Sequence, residues 1–164
     1  MTKSMVIRSL VSQDSEALTA LISLAFGGPE VVRLGMLTNA AALPGFGAFC
    51  GQEMVGELTY LIGGDACELV TLNVKEQRSG IGSSLMKAFQ AFVRAEGFQR
   101  IFLVTTNDNL DALRFYQQRG WQMVAVHAGA VHDVSRKLKP QIPLTGAHGI
   151  PIRDEIVLEL SVAD

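Results

Sequence analysis

The sequence predicts an α/β protein with one mixed central sheet and helices on both faces. Three observations carry this. An apolar run over residues 67–74 delivers a glycine-spaced turn into an amphipathic helix, and a β-branched run over 100–106 follows. That strand–helix–strand unit implies two parallel strands joined by a right-handed crossover. Around it stand strand-like runs joined by glycine turns, which imply antiparallel neighbours. The chain has 164 residues, 48% hydrophobic and 18% charged, so one domain over 1–164 with a real core is expected and disorder is not.

The elements follow in order. Met5, Val6, Ile7 and Arg8 read as a short strand. Ser12 is a helix cap, Asp14 and Glu16 suit a first turn, and Ala17, Leu18, Leu21, Ile22 and Ala25 recur at helical spacing. Gly27-Gly28-Pro29 ends that helix, and Pro29 opens a second one from Glu30 to about Asn39. Residues 46–50 and 54–62 read as strands joined by a turn at Gly51-Gln52-Glu53. The run over 67–74 is apolar on both faces, as for a central strand, with Glu68 the exception. Ile81, Leu85, Ala88, Phe89, Phe92 and Val93 form one stripe of the next helix, which Gly97 ends. A strand over 100–106, a helix over about 109–118 and a strand over 121–127 come next. Residues 128–154 are long for a plain loop. Val131, Val134 and Leu138 sit at helical spacing there, so a short helix is expected before Pro140, and a last strand over 155–162.

Composition excludes several classes. A net charge of −2 gives no electrostatic ground for a nucleic-acid partner. No apolar run reaches the ~18 residues needed to span a bilayer, and the N-terminus lacks a signal peptide's apolar region. A cytoplasmic protein without a membrane partner is expected. Cys50 and Cys67 sit in apolar strand-like runs and read as buried thiols, with a disulfide or a catalytic thiol as the competing readings. The three histidines have no metal-ligand spacing, so no metal is expected.

The turn is Gln77-Arg78-Ser79-Gly80-Ile81-Gly82-Ser83-Ser84. Free N–H groups converge where a strand passes through glycines into a helix, and the helix dipole favours an anion. Ser83 and Ser84 add hydroxyls and Arg78 adds a charge. A dinucleotide fingerprint fails because Leu85 stands at the third glycine position, and a P-loop fails for want of its lysine. A tight turn that merely caps a helix is the plain alternative. A second cluster bears on that choice. Asn109, Ala112 and Tyr116 fall at i, i+3 and i+7, one helix face just after the next parallel strand. Ala112 leaves room for something to pass, and Tyr116 puts a phenol on the same line.

With both clusters in this order, the chain resembles the GNAT-type N-acetyltransferases. Gln77-x-x-Gly80-x-Gly82 is similar to that family's pyrophosphate loop, and Asn109-x-x-Ala112-x-x-x-Tyr116-x-x-x-Gly120-Trp121 to its second CoA-binding segment. The resemblance spans roughly residues 5–127 and is sharp over 68–121. It implies the GNAT-like acyl-CoA N-acyltransferase fold, in which the parallel strands over 67–74 and 100–106 splay apart to admit pantetheine. It implies acetyl-CoA as acetyl donor and direct transfer to a primary amine in a ternary complex.

Residue by residue, the resemblance implies that Leu72, Asn73 and Val74 pair with the pantetheine amides. Backbone N–H groups from Arg78 through Ser79, Gly80, Ile81 and Gly82 to Ser83 would hold the pyrophosphate, beside Gln77 and Ser84. Asn109 would bind pantetheine or the 3′ side of CoA, with Asn107 sharing the task. Tyr116 would protonate the departing thiolate, and the Leu72 N–H would meet the acetyl oxygen. Glu68 would serve as base through a water, since burial lifts a carboxyl toward a base's working range. A solvent-facing strand end beside Asp65 is the competing reading of Glu68.

Residues 128–154 would form an acceptor lid. His127, His132, Asp133, Arg136, Lys137, His148, Arg153, Asp154 and Glu155 are the residues in or beside it that would read a charged substrate. A small-molecule amine is the expected acceptor, and a homodimer stays open. The alternatives are a protein or peptide amine, or a non-catalytic CoA-binding sensor module.

Overall fold

The structure, a computed structural model, describes residues 4–163. Among the described residues there are nine strands and three main helices. They are β1 (Met5–Ser9), α1 (Ser15–Phe26), β2 (Glu30–Arg33), β3 (Met36–Asn39), β4 (Gly45–Cys50), β5 (Glu53–Gly63), β6 (Ala66–Val74), α2 (Ile81–Ala95), β7 (Arg100–Thr106), α3 (Leu110–Gln117), β8 (Gln122–His127) and β9 (Glu155–Ser161). Seven strands form the central sheet in the order β1-β4-β5-β6-β7-β9-β8, and only β6 and β7 run parallel. This is the mixed α/β sheet of the GNAT-like fold that the sequence predicts.

The amphipathic helix after the glycine turn forms as read. Ile81, Leu85, Met86, Phe89 and Val93 are its buried stripe. They pack on Leu58, Tyr60, Cys67, Leu69, Ile101 and Leu158 in the larger core cluster, where α3 adds Leu113 and Tyr116. The opposite face of the sheet carries α1, whose Leu18, Leu21 and Ile22 meet Val31, Phe49 and Met54. Side chains alternate across a strand, so the sheet has an α2–α3 face and an α1 face.

One helix expected from the sequence is absent from the described residues. Residues 30–39 form a β-hairpin instead of a helix, with Glu30↔Asn39 and Arg33↔Met36 as its outer and inner pairs. The two-residue turn is Leu34-Gly35, with φ of 50° and 74°. Positive φ at both positions is the primed turn that suits a tight hairpin. The burial has period two, with Val31 and Arg33 inward, and that alternation overrides Pro29 as a helix opener. The short helix expected before Pro140 does form, as a π-helical stretch (Val131–Ser135) that runs into Arg136–Leu138, but with a different face inward. Val134 and Leu138 are exposed, while Val131, Ser135 and Lys139 are buried. The wider winding turns a different line of residues inward.

β6 contains the feature that opens the sheet. Its pairing with β7 covers only Cys67↔Ile101, Glu68↔Phe102 and Leu69↔Leu103. The next residue, Val70, is a bulge opposite the Thr59/Tyr60 step of β5. A bulge bends its strand and increases the local twist. Beyond it, β6 stays paired to β5 up to Val74 but diverges from β7. The edge of β6 over residues 70–74 therefore faces a gap.

Candidate active site

A cleft runs from the start of α2, along the divergent edge of β6, to a chamber on the α1 face. Its outer section lies between the glycine turn and α3. Gly80 caps α2 with φ 82°, and Arg78 also has positive φ, 61°. The Ser84 N–H donates to the Gly80 carbonyl at 3.1 Å. The N–H groups of residues 80–83 precede the first intrahelical bond and have no partner within the helix. Arg78, Arg114 and Arg119 line this section against Glu76 and Asp111, three positive charges against two negative. Arg119 lies over the Phe115 ring at 3.6 Å and donates to the Ser83 hydroxyl at 2.8 Å. The sequence reading missed this arginine; its cue is the Arg119-Gly120 helix end, four residues after Phe115.

The middle section is an apolar trough of about 600 Å3 between α1 and α3, floored by β6. Leu21, Leu24 and Ala25 form one wall, and Ala112, Phe115 and Tyr116 the other. Leu72, Asn73 and Val74 lie along its floor, and Asn109 stands at its rim. Asn109 caps α3, accepting from the Ala112 N–H at 3.3 Å and donating to the Thr105 hydroxyl at 3.3 Å. The helical face read from the sequence thus does line the trough.

The inner section is a chamber of about 180 Å3. It shares Leu72, Asn73, Asn109, Ala112 and Tyr116 with the trough, and Val31, Val32 and Arg33 of β2 line it together with Glu155. The Tyr116 ring is fixed edge-on to Phe115 and Trp121. Its hydroxyl takes no part in the hydrogen bonds among the described residues and borders both trough and chamber. Burial, and next the nearby Glu57 charge, push the phenol above its ordinary value of 10.0. It therefore holds its proton at neutral pH.

A profile of the Acetyltransferase (GNAT) family matches residues 16–121. The chain belongs to this family. Two uncharacterized proteins of Bacillus subtilis strain 168 are similar over most of their length. YdhI is 39% identical over 141 residues, covering 85% of this chain and 88% of its own. YxbD is 36% identical over 144 residues, covering 87% and 90%. Among solved structures, a Bacillus subtilis acetyltransferase in complex with CoA superposes with a TM-score of 0.70 at 20% identity, covering 96% of this chain and 99% of that one. That likeness shows a shared GNAT fold.

Not every residue singled out in the sequence reaches this GNAT cleft. Ile81 turns its side chain into the core, leaving only its N–H on the outer section. Ser79 donates to the Glu76 carbonyl and Ser84 to the Gly80 carbonyl, so both hydroxyls stabilise the turn itself. Asn107 donates to the Pro151 carbonyl and accepts from the Arg153 and Asp154 N–H groups. It ties down the late connection instead of facing the trough. Lys139 anchors that connection to the α1 side, donating to the Phe26 and Glu30 carbonyls at 2.6 Å each. Cys67 is fully buried with its thiol pushed up to about 11, mainly by burial, and neither cysteine is in a disulfide. A buried, protonated thiol is no nucleophile.

Glu68 is buried, contrary to a solvent-facing strand end, and it is not free. Arg33 grips it through Nε at 2.6 Å and Nη2 at 3.0 Å, and also donates to Thr38. Both carboxylate oxygens are thus engaged by a buried guanidinium. Removing one partner leaves the other charge uncompensated, so Arg33→Met is expected to cost about 3–5 kcal/mol in urea unfolding. The Arg33→Met/Glu68→Met pair is expected to cost clearly less. Equal losses would show that the pairing contributes nothing.

A second acid is buried beside the chamber. Glu57 is fully buried on β5. It accepts from the Thr71 hydroxyl at 2.7 Å and the Asn73 amide at 2.5 Å, and Thr71 contacts the Thr59 hydroxyl at 2.6 Å. Burial raises its carboxyl from the ordinary 4.5 to about 7 against these hydrogen bonds. Thr71 and Asn73 line the chamber and link Glu57 to it. Sequence reading missed Glu57 because a lone acid in an alternating strand reads as a solvated face.

The raised value has a stability consequence. Below pH 4.5 the carboxyl is protonated whether the chain is folded or not. As pH rises from there to about 7 the unfolded chain ionises first. The folded state loses roughly 3 kcal/mol across that window. Glu57→Gln is expected to flatten the pH dependence of urea unfolding there; an unchanged slope would contradict the raised value.

Proposed function

We propose that the protein is an acetyl-CoA-dependent N-acetyltransferase that moves the acetyl group directly to a primary amine. The observation that carries this is the bulge at Val70. It frees the β6 edge between an anion-holding helix start and a buried phenol, along one continuous cleft. The residues present fit the donor. N–H groups of residues 80–83, with Arg78 and Arg119, suit a pyrophosphate; the trough over Leu72, Asn73 and Val74 suits the extended amide arm. Gln77 and Asn109 also line that trough.

Acetyl-CoA supplies an activated acetyl group as a thioester, which a neutral amine can displace. The Leu72 N–H offers a donor where negative charge develops on the acetyl oxygen. Tyr116 holds the proton that the departing thiolate takes. Since Arg33 occupies Glu68, the base role passes to Glu57. The Thr71 hydroxyl gives its proton to Glu57 while its oxygen receives one from the amine. A carboxyl near 7 is matched to that task.

Cys67 is buried and Cys50, half-buried, lines none of the three sections of the cleft, which supports direct transfer over an acetyl-cysteine route. Initial rates at varied acetyl-CoA and amine test this: intersecting double-reciprocal lines are expected, and parallel lines would contradict it.

A further inference from the structure

The chamber wall carries a buried carboxylate that pairs with no cation among the described residues. Glu155 is 3% exposed and lines the chamber. It accepts from the Leu34 N–H at 2.9 Å and the Ser135 hydroxyl at 3.4 Å, both neutral donors. Three carboxylates, those of Glu57, Glu68 and Glu155, are buried around the chamber; among the described residues the buried cations on this side are the Lys139 ammonium, held by the Phe26 and Glu30 carbonyls, and the Arg33 guanidinium. That guanidinium is committed to Glu68 and Thr38. A buried charge is costly unless paired, so the cleft's inner end is electrostatically prepared for a cation.

Resting on the acetyltransferase reading, we propose that the acceptor is a compact diamine, with one ammonium held by Glu155 and the other nitrogen presented to the thioester. Two nitrogens are needed because a carboxylate favours the charged form of the group beside it. The ammonium at Glu155 is therefore not the nitrogen that attacks. Phe26, Val31, Val32 and Leu103 line the space between and suit a short methylene chain. The chamber, at about 180 Å3, falls below the ~300–1,000 Å3 of pockets for drug-sized ligands. In the reaction, the C–S bond breaks as the C–N bond forms, the amine proton passes through Thr71 to Glu57, and the Tyr116 proton goes to the thiolate.

The test compares 1,4-diaminobutane with n-butylamine on the full-length protein saturated with CoA, by calorimetry and, with acetyl-CoA, by thiol release. The diamine is expected to bind at least about tenfold tighter, as for a buried charge pair, and to be preferred at least as strongly in kcat/KM. Glu155→Gln is expected to erase that preference, and Glu155→Asp, which keeps the charge, to retain most of it. Equal affinities for the two amines, or a preference that survives in Glu155→Gln, would overturn the proposal. Diamine binding that depends on Glu155 but without turnover would uphold the cation site and contradict the acetyltransferase reading. Turnover of butylamine as efficient as that of the diamine would do the reverse.

Discussion

Tyr116→Phe is expected to lower kcat by roughly 100-fold or more while leaving the affinity for acetyl-CoA little changed. The ring stays against Phe115 and Trp121, at centroid distances of 5.2 and 5.4 Å, so the trough keeps its wall. The hydroxyl has no hydrogen-bond partner among the described residues, so its removal leaves no buried group unsatisfied. What is lost is a proton held at neutral pH, because burial and the Glu57 charge keep the phenol un-ionised. The check is steady-state kinetics with a good acceptor beside calorimetry for CoA. Unchanged kcat would remove Tyr116 as the acid; a loss confined to KM would make it a binding residue.

Gly82→Glu is expected to weaken CoA binding by more than about 100-fold without unfolding the protein, since a like-charge juxtaposition at a binding surface costs several kcal/mol. Gly82 sits in the first turn of α2, and a Cβ there would lie 3.5 Å from the Phe115 ring, an ordinary contact. The carboxylate would enter the outer section beside Arg78, Arg114 and Arg119 and occupy the place of the phosphates. A negative charge at a helix N-terminus is itself favourable by about 0.3–1 kcal/mol. The melting temperature should therefore hold or rise while binding is lost, which separates the site from the fold. Normal CoA affinity in this variant would show that the glycine turn is only a turn.

What was legible in the sequence follows the distance over which each feature is encoded. The glycine turn and the Asn109, Ala112 and Tyr116 face are local patterns within one or two helical turns, and they line one cleft as read. The hairpin over residues 30–39 was misread because eight strand residues around Leu34-Gly35 make too short a pattern to separate period two from 3.6. The bulge at Val70 leaves no mark in an apolar run. The polar layer on the α1 face was hidden for another reason. Arg33 meets Glu68 across 35 positions, and Leu34 meets Glu155 across 121. No spacing in the chain reports such contacts. Glu68, the acid that stood out in its strand, is tied to Arg33, while Glu57, two strand residues from Thr59 in an ordinary-looking run, is the one that burial tunes.

Amine-dependent release of free thiol from acetyl-CoA, with the product weighed by mass spectrometry, tests the transfer along this cleft most directly. The expected result is release that saturates with one amine class, yields the acetylated amine in equal amount, and disappears in Gly82→Glu. Tight CoA binding by the wild-type protein, with no amine in a broad panel accelerating thiol release, would contradict it.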